Sequence, residues 1–297
     1  MIEERGLIEE HVGLARFTTI GTGGPARYFA RPTKLDELAE LLRWAADRGI
    51  PVETIGLGSN LLVHDDGVEA LIVRLAGQLS AVRIEGDTLV AGGGATNAVC
   101  LHRARDAGLG GLEFASAIPG TAGGGARMNA GAYGSDWRAI MIDALVVSAG
   151  GARTVTPDGL GLSYRHSNLE PGEVVAQVRF QLEPKAPEAI KAEVAELLSQ
   201  RKAAQPTTKR TFGSVFKNPP SGPGAGQMIE ECGLKGYRSG GAAISARHAN
   251  FIENTGGVTS ADALALITEA RRRVHERFGV ELTHEVRFLW PLVLPPL

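Results

Sequence analysis

Glycine is placed so unevenly along this chain that it restricts the fold before any other residue is considered. Of 297 residues 39 are glycine, about 13% against a usual level of about 7%. Collagen periodicity is absent, and the glycines gather in short clusters between apolar segments, at 55–63 and again through 117–134. Such clusters serve either sharp turns or loops whose backbone must approach a ligand closely. An ordinary turn needs one or two glycines. Gly120, Gly123, Gly124, Gly125, Gly131 and Gly134 exceed that, and so dense a run is costly in backbone entropy unless close approach is required. The second cluster therefore reads as a ligand surface, suited to a flat, extended cofactor with a diphosphate midpoint.

The first cluster runs Ile55-Gly56-Leu57-Gly58-Ser59-Asn60-Leu61-Leu62-Val63. It follows an apolar segment, 52–55, that reads as a short strand. Its glycines let successive N–H groups turn towards an anion, and Ser59 and Asn60 add side-chain donors. It resembles a dinucleotide fingerprint, but Leu61 stands where the third glycine belongs and no helical pattern follows, which argues against a Rossmann site. The absence of a Gly-Lys dipeptide excludes a Walker-type phosphate loop.

Between and beyond these clusters the chain reads as α+β in three segments. Helices are predicted over 34–48, 96–107, 188–202 and 261–278 from apolar residues at helical spacing. In 188–202 the apolar side is Ile190, Val194, Leu197 and Leu198. Strands are predicted at 71–75, 82–85, 88–91, 144–148 and 174–182. The expected borders give domains at 1–75, 76–183 and 184–297. Arg271, Arg272 and Arg273 fall on the outer face of the last helix and read as solvated rather than as a basic patch.

Composition removes several functions. A formal net charge of -2 gives no general attraction to nucleic acid. The N-terminus, Met1-Ile2-Glu3-Glu4-Arg5, lacks the basic and apolar regions of a signal peptide. No uncharged apolar run approaches the roughly 20 residues needed to span a bilayer, and the tail after Leu289 is broken by Pro291, Pro295 and Pro296. A cytoplasmic setting without membrane insertion is expected. Cys100 and Cys232 form no CxxC, and the seven histidines show no HxxxH or HExxH spacing. Neither a disulfide framework nor a metal site is expected.

Seven ordered blocks carry a resemblance. They are 17–26 (Phe-Thr-Thr-Ile-Gly-Thr-Gly-Gly-Pro-Ala), the two glycine clusters, Ser163-Tyr164-Arg165-His166-Ser167, Gly213-Ser214-Val215-Phe216-Lys217-Asn218-Pro219, Gly233-Leu234-Lys235-Gly236 with His248-Ala249-Asn250-Phe251-Ile252, and His284-Glu285-Val286. The two clusters resemble the flavin-binding halves of vanillyl-alcohol-oxidase-type FAD proteins. With the other blocks the chain resembles the UDP-N-acetylenolpyruvoylglucosamine reductases, the MurB family.

That resemblance implies two FAD-cradling domains and a third, substrate-binding domain. In the family a hydride passes from NADPH to FAD and from flavin N5 to the enolpyruvyl β-carbon. Negative charge then develops on the α-carbon and carboxylate, which needs a nearby cation and a proton donor. Ser214 maps onto the proton donor, Arg165 onto the arginine that grips the developing enolate, and Glu285 onto the catalytic glutamate, which must be protonated to polarise a carboxylate. Read from the residues alone, Ser214 could cap a turn after Gly213, Arg165 could form a surface ion pair, and Glu285 could pair with Arg287 on an edge strand. Tyr164, Lys217, Asn218, Lys235 and His248 map onto sugar-nucleotide contacts. Gly56, Leu57, Gly58, Ser59, Asn60 and Leu61, then Ala117, Ile118, Pro119, Gly120, Thr121, Gly123, Gly124, Asn129 and Ala130, map onto FAD contacts. No histidine lies in the first cluster to link the flavin, so FAD is expected to be held non-covalently.

The chain departs from the pattern in three places. Some members carry a tyrosine-bearing insertion that closes over the uridine diphosphate. The stretch between Ser167 and Ser214 is too short for it, which marks the shorter branch. Phe212 stands where a small residue often precedes Gly-Ser, and Leu289-Trp290 replace a glycine after the last glutamate. Partners implied are the UDP-sugar and NADPH, with no obligate protein partner. Two other readings remain: a related FAD-dependent sugar or alcohol oxidase, and a nucleotide-sugar binder that has lost its flavin.

Overall fold

The computed structural model describes residues 6–289, 292–294 and 296. The acidic N-terminal segment, Trp290, and Pro291, Pro295 and Leu297 of the tail lie outside the described residues. The chain is α+β and folds as two compact units. The first takes Met1–His11, Arg27–Leu57 and Glu69–Gln200; the second takes Val12–Ala26, Gly58–Val68 and Arg201–Leu297.

This division departs from the expected borders for physical reasons. No break falls at 75/76, because Leu38, Leu41, Leu42 and Ala45 share one core with Val147, Val174 and Ala176. The break expected at 183/184 comes later, since Ile190 is buried in the core of the first unit. The segments 12–26 and 58–68 join the C-terminal part because Ile20 and Leu62 are buried among Phe212, Phe216, Ile267 and Val274.

In the first unit, α1 (Leu35–Asp47) turns its apolar stripe inward. Glu37 reaches back to accept bonds from the Thr33 backbone N–H at 2.7 Å and hydroxyl at 2.9 Å, satisfying donors ahead of the first turn. Gly49, at φ +63°, ends the helix. One sheet has the order Ile8–Gly13, Pro25–Ala30, Val68–Val73, Val52–Thr54. Val52–Thr54 pairs in parallel with 71–73, and the strand Val68–Val73 is buried at every position but Glu69, as a strand covered on both faces requires. A second, antiparallel sheet has the order Gly151–Val155, Met141–Ser148, Val174–Gln181, Thr88–Gly92, Val82–Glu85. Among the strands that the sequence pattern missed are Ile8–Gly13 and Gly151–Val155. Both are edge strands with mostly exposed side chains, so they carry no apolar alternation to read.

The helix α2 (Asn97–Asp106) is capped by Thr96, whose hydroxyl accepts from Val99 N–H. Then comes α3 (Ala122–Met128), where the glycine run was expected to form a ligand surface and no helix was predicted. Three consecutive glycines are poor helix formers, and the reason this helix exists is its seat. A Cβ on Gly123 would lie 2.9 Å from the carbonyl oxygens of both Gly93 and Val175, and one on Gly125 would lie 2.5 Å from the Trp137 ring. Gly123 N–H donates to Gly93 O at 2.9 Å. Two of the three glycines are thus needed for packing, and only Gly124 is exposed. Trp137 opens α4 (Trp137–Ile140) and packs edge-on against Phe114 and Phe180. The helix α5 (Pro187–Ala204) buries Ile190 alone, while Leu198 is 42% exposed. Of its expected four-residue apolar face, Val194 packs half-buried on the same core and Leu197 is half-buried, so the cover thins towards the C-terminal end.

The second unit is built on α6 (Ala225–Glu231) and α7 (Ser260–Phe278). A capping box of Thr259 and Asp262 starts α7 and Gly279, at φ +65°, ends it. Arg272 is exposed and pairs with Glu269 and Glu276 on the helix itself, and Arg273 pairs with Glu269. Arg271, expected to be solvated with them, is instead largely buried. It pairs with Glu281 and donates to Leu282 O at 3.3 Å because the segment after the helix folds back over it. Leu61–Val63 pairs in parallel with Arg287–Leu289, and Ala242–Ile244 pairs antiparallel with Ile252–Asn254. Phe212 is fully buried in this core.

Replacing Gly123 by Ala should lower stability by about 1–3 kcal/mol through overpacking. Gly124→Ala should stay within about 1 kcal/mol of the parent, because the exposed position gains helix propensity. Urea midpoints of the two variants provide the comparison, and equal losses would remove the seat as the reason for these glycines.

Candidate functional site

The two glycine stretches come together within the first unit. A Cβ on Gly56 would lie 2.8 Å from Thr121 Oγ1, so the strand-to-loop turn at 56–57 rests directly on the start of α3. Among the described residues, the backbone N–H groups of Gly56, Leu57, Gly120 and Thr121 donate no hydrogen bond within the protein. A group of unengaged amides beside close-packed glycines suits a diphosphate. Beneath the second loop, Asn97 is buried and donates to Ile118 O at 2.9 Å. Its Oδ1 and the Ser116 hydroxyl are buried atoms with no partner among the described residues. Unpaired buried acceptors are costly, and together with the amides they fit a polar cofactor lying over Ala117, Ile118, Pro119 and Gly120. Sequence reasoning missed Asn97 and Ser116; the signal available was a polar residue just inside a helix start and one just before the loop.

Other residues expected to face the cofactor are committed elsewhere. The Thr121 hydroxyl accepts from Gly124 N–H and caps α3. Gly123 is taken by the seat described above. Asn129 is buried, with its side-chain amide bonded to Asp136, Ser163 and the Arg138 N–H. Ala130 N–H donates to Gly125 O. Leu61 belongs to the strand Leu61–Val63 and is buried.

Arg165 sits at the tip of a tight turn closed by Ser163 N–H to His166 O at 3.2 Å and His166 N–H to Ser163 O at 3.1 Å. Its φ is +54°, a left-handed conformation that is sterically costly for a side-chain-bearing residue and concentrates where function requires it. Its guanidinium donates to Gly131 O at 2.8 Å and lies 5.1 Å from the centre of the Tyr164 ring. Tyr164 is 53% exposed.

In the second unit Ser214 lies on an extended segment held from both sides. It bridges to Phe251, and Phe216 bridges to His284. Asn250 is buried and acts as a strand neighbour through its side chain: Phe216 N–H donates to its Oδ1 at 2.9 Å, and its Nδ2 donates to Phe216 O at 2.8 Å. Its own carbonyl accepts from Val215 N–H. Gly213, at φ +80°, brings Ser214 beside the first glycine loop, since a Cβ there would lie 3.3 Å from Ser59 O. Glu285 N–H donates to Val215 O at 2.7 Å, and Glu285 O accepts from Asn60 Nδ2 at 3.1 Å. Glu285 is half-buried and precedes the strand Arg287–Leu289. Ser214, Glu285, Ser59 and Asn60 are therefore one backbone-pinned group. Gly58 is confined too, with a Cβ there running into Phe17 O.

Of the remaining candidates, Lys217 N–H donates to Thr283 O. Asn218 Oδ1 accepts from Ala225 N–H at 3.0 Å, at the first turn of α6. Lys235 pairs with Glu230 at 2.6 Å. His248 packs on Phe251 and accepts from Asn250 N–H. Burial, reinforced by the positive charge of Lys235, holds its pKa below the usual 6.5. Among the described residues no group of three His, Cys, Asp or Glu side chains could hold a metal ion, and no helix is long and apolar enough to cross a membrane. Both cysteines are free thiols, and burial pushes Cys100 up to about 12.

Residues 26–160 match the family described as FAD binding domain, and residues 205–289 match UDP-N-acetylenolpyruvoylglucosamine reductase, C-terminal domain. UDP-N-acetylenolpyruvoylglucosamine reductase 2 of Symbiobacterium thermophilum is 42% identical over 98% of this chain and 94% of its own length. The reductase of Sphingopyxis alaskensis is 44% identical over 95% of each chain. The crystal structure of UDP-N-acetylenolpyruvylglucosamine reductase (MurB) from Thermus caldophilus superposes with a TM-score of 0.83 at 38% identity, over 95% of this chain and 98% of that one.

The depressed His248 has a stability consequence. Such a histidine takes up its proton in the unfolded chain at a higher pH than in the fold. Stability should therefore fall as pH drops below about 6.5, until the folded-state pKa is passed. Urea midpoints at pH 7.5 and 5.5 should diverge in the parent and converge in His248→Gln; an unchanged difference in the variant would assign the loss to other groups.

Proposed function

Because the chain belongs to the UDP-N-acetylenolpyruvoylglucosamine reductase family, we propose that it reduces UDP-N-acetylglucosamine enolpyruvate to UDP-N-acetylmuramate. This makes it an NADPH-dependent UDP-N-acetylmuramate dehydrogenase of peptidoglycan precursor synthesis, working with non-covalent FAD. The observation that carries the assignment of residues is the pinning of Ser214 and Glu285 on Val215, beside Ser59 and Asn60. It sets a hydroxyl and a carboxyl group on rigid backbone next to a glycine loop.

The chemistry that bound FAD supplies is transfer of a hydride from NADPH to the enolpyruvyl β-carbon. Gly56, Leu57, Gly120 and Thr121 would hold its diphosphate through their backbone amides. As negative charge grows on the substrate α-carbon and carboxylate, Arg165 offers a planar fork that matches a carboxylate. Glu285, carrying its proton, donates to the same carboxylate. Ser214 gives its hydroxyl proton to the α-carbon. A serine is a weak acid, so this step works only because the carbanion is strongly basic and the hydroxyl is held in place. The resulting alkoxide is reprotonated by solvent. Tyr164, Asn218, Lys235 and His248 complete the sugar-nucleotide contacts, with Lys235 turning from Glu230 to phosphate. His248 enters this role uncharged, as its depressed pKa favours. The cycle is ping-pong, NADPH leaving before the UDP-sugar binds, and the setting is cytoplasmic, with no nucleic acid, membrane insertion or obligate protein partner.

Purified protein should be yellow, and after anaerobic bleaching by NADPH the enolpyruvyl UDP-sugar should restore the colour with the lactyl product detected by mass. Ser214→Ala should retain flavin reduction by NADPH while slowing reoxidation by substrate about 10²–10⁴-fold, the usual worth of a positioned general acid. Stopped-flow traces with slow flavin reduction and intact reoxidation would remove Ser214 from this role.

A further inference from the structure

Resting on the reading of Arg165 given above, we propose that Asn129 is a positioning residue that sets the Arg165 turn and does not hold the cofactor. Asn129 is 1% exposed and ends α3 in the left-handed conformation, at φ +39°. Its Nδ2 donates to Asp136 Oδ2 and to Ser163 O, each at 3.0 Å, and its Oδ1 accepts from Arg138 N–H at 2.9 Å. Both side-chain donors are spent within the protein, and the buried amide offers no surface to a ligand. Ser163 O, which it grips, also accepts the His166 N–H that closes the turn. A carbonyl has two lone pairs, and here both are used to fix the turn that carries Arg165.

That turn and its flanks are tied to the end of α3, to Gly131 just beyond it and to α4. Ser167 Oγ donates to Arg127 O at 2.6 Å, Arg138 donates to Leu162 O at 2.6 Å, and Arg165 itself donates to Gly131 O. The left-handed backbone at Arg165 persists only if its surroundings over-determine it, and these three bonds with that from Asn129 to Ser163 O do so. The opposite end of α3 begins at Thr121, on the glycine loop. The helix is therefore a strut: its glycine seat fixes it on the sheet, its start meets the cofactor loop, and Asn129 at its end holds the turn bearing the carboxylate-binding arginine.

Asn129→Gly tests this, because glycine adopts the left-handed conformation without strain and deletes only the side-chain bonds. Bound flavin after gel filtration and the rate of its reduction by NADPH should match the parent. Reoxidation by the enolpyruvyl UDP-sugar should slow about 10- to 100-fold, the scale of misplacement of a catalytic group. In an Arg165→Ala background the same substitution should change reoxidation by no more than about twofold, since residues acting through one another are not additive. Loss of flavin from Asn129→Gly, or a full multiplicative loss in the double variant, would overturn the proposal while leaving Arg165 in place. Normal reoxidation in Arg165→Ala alone would instead overturn the reading of Arg165, and this proposal with it. Should Asn129→Gly not fold, Ser167→Ala removes a different tie to the same turn and should show a smaller slowing of reoxidation, lost in the Arg165→Ala background; additive behaviour there would count against the strut.

Discussion

At Gly123 the backbone of α3 lies on the carbonyls of Gly93 and Val175 with room for a hydrogen atom and nothing larger. Much of the first unit's functional geometry follows from that contact. Trp137 can close over Gly125 because the helix is this deep, and the Trp137 ring then joins Phe114 and Phe180 in the main core. The start of the helix is carried to Gly56, and its end to the turn at Ser163–His166. A glycine cluster that reads as a ligand surface is thus divided between two tasks. Its inward glycines build the platform, and the residues before the helix leave their amides unengaged.

The second unit solves a related problem without a helix. Ser214 and Glu285 are far apart in sequence, yet both are fixed through Val215. Asn250 stands in for a missing strand by pairing with both polar groups of the Phe216 backbone, and Asn60 does part of the same work on the Glu285 carbonyl. Side-chain amides carry a donor and an acceptor in the geometry of a peptide group, which lets them complete a sheet where the chain cannot. Rigid backbone on either side is what a weakly acidic hydroxyl requires if it is to meet a reacting carbon at the right place.

How far all this was legible in the sequence depends on how local the cause was. The helix expected at 34–48 is found at Leu35–Asp47, because the apolar period and the Gly49 stop lie within its own residues. The α3 helix was not legible, since propensity argues against three glycines and only the distant Gly93 and Val175 argue for them. For α5 the periodicity was real, but the amount of surface that would cover it was set by partners far along the chain, which bury Ile190 fully and Val194 in part and leave Leu198 exposed. Ser214, Arg165 and Glu285 were identified by resemblance to known blocks and not by any pattern of their own. Asn250 and the supporting part of Asn60 were beyond reach, because a buried amide looks like any other asparagine until its neighbours are known.

The second unit is assembled from three separated stretches, 12–26, 58–68 and 201–297, and this bears on how the protein is made. Ile20 and Leu62 are buried in the finished molecule among residues of the last stretch, but about 130 residues must be translated after Val68 before that stretch begins to emerge, a wait of several to some tens of seconds at about 5–20 residues per second. Throughout that interval these apolar side chains are on the nascent polypeptide without their final neighbours. The first unit, complete in sequence by Gln200, can consolidate earlier. Such an order of synthesis leaves a window in which a chaperone, or another nascent chain, meets greasy surface that the mature protein never displays.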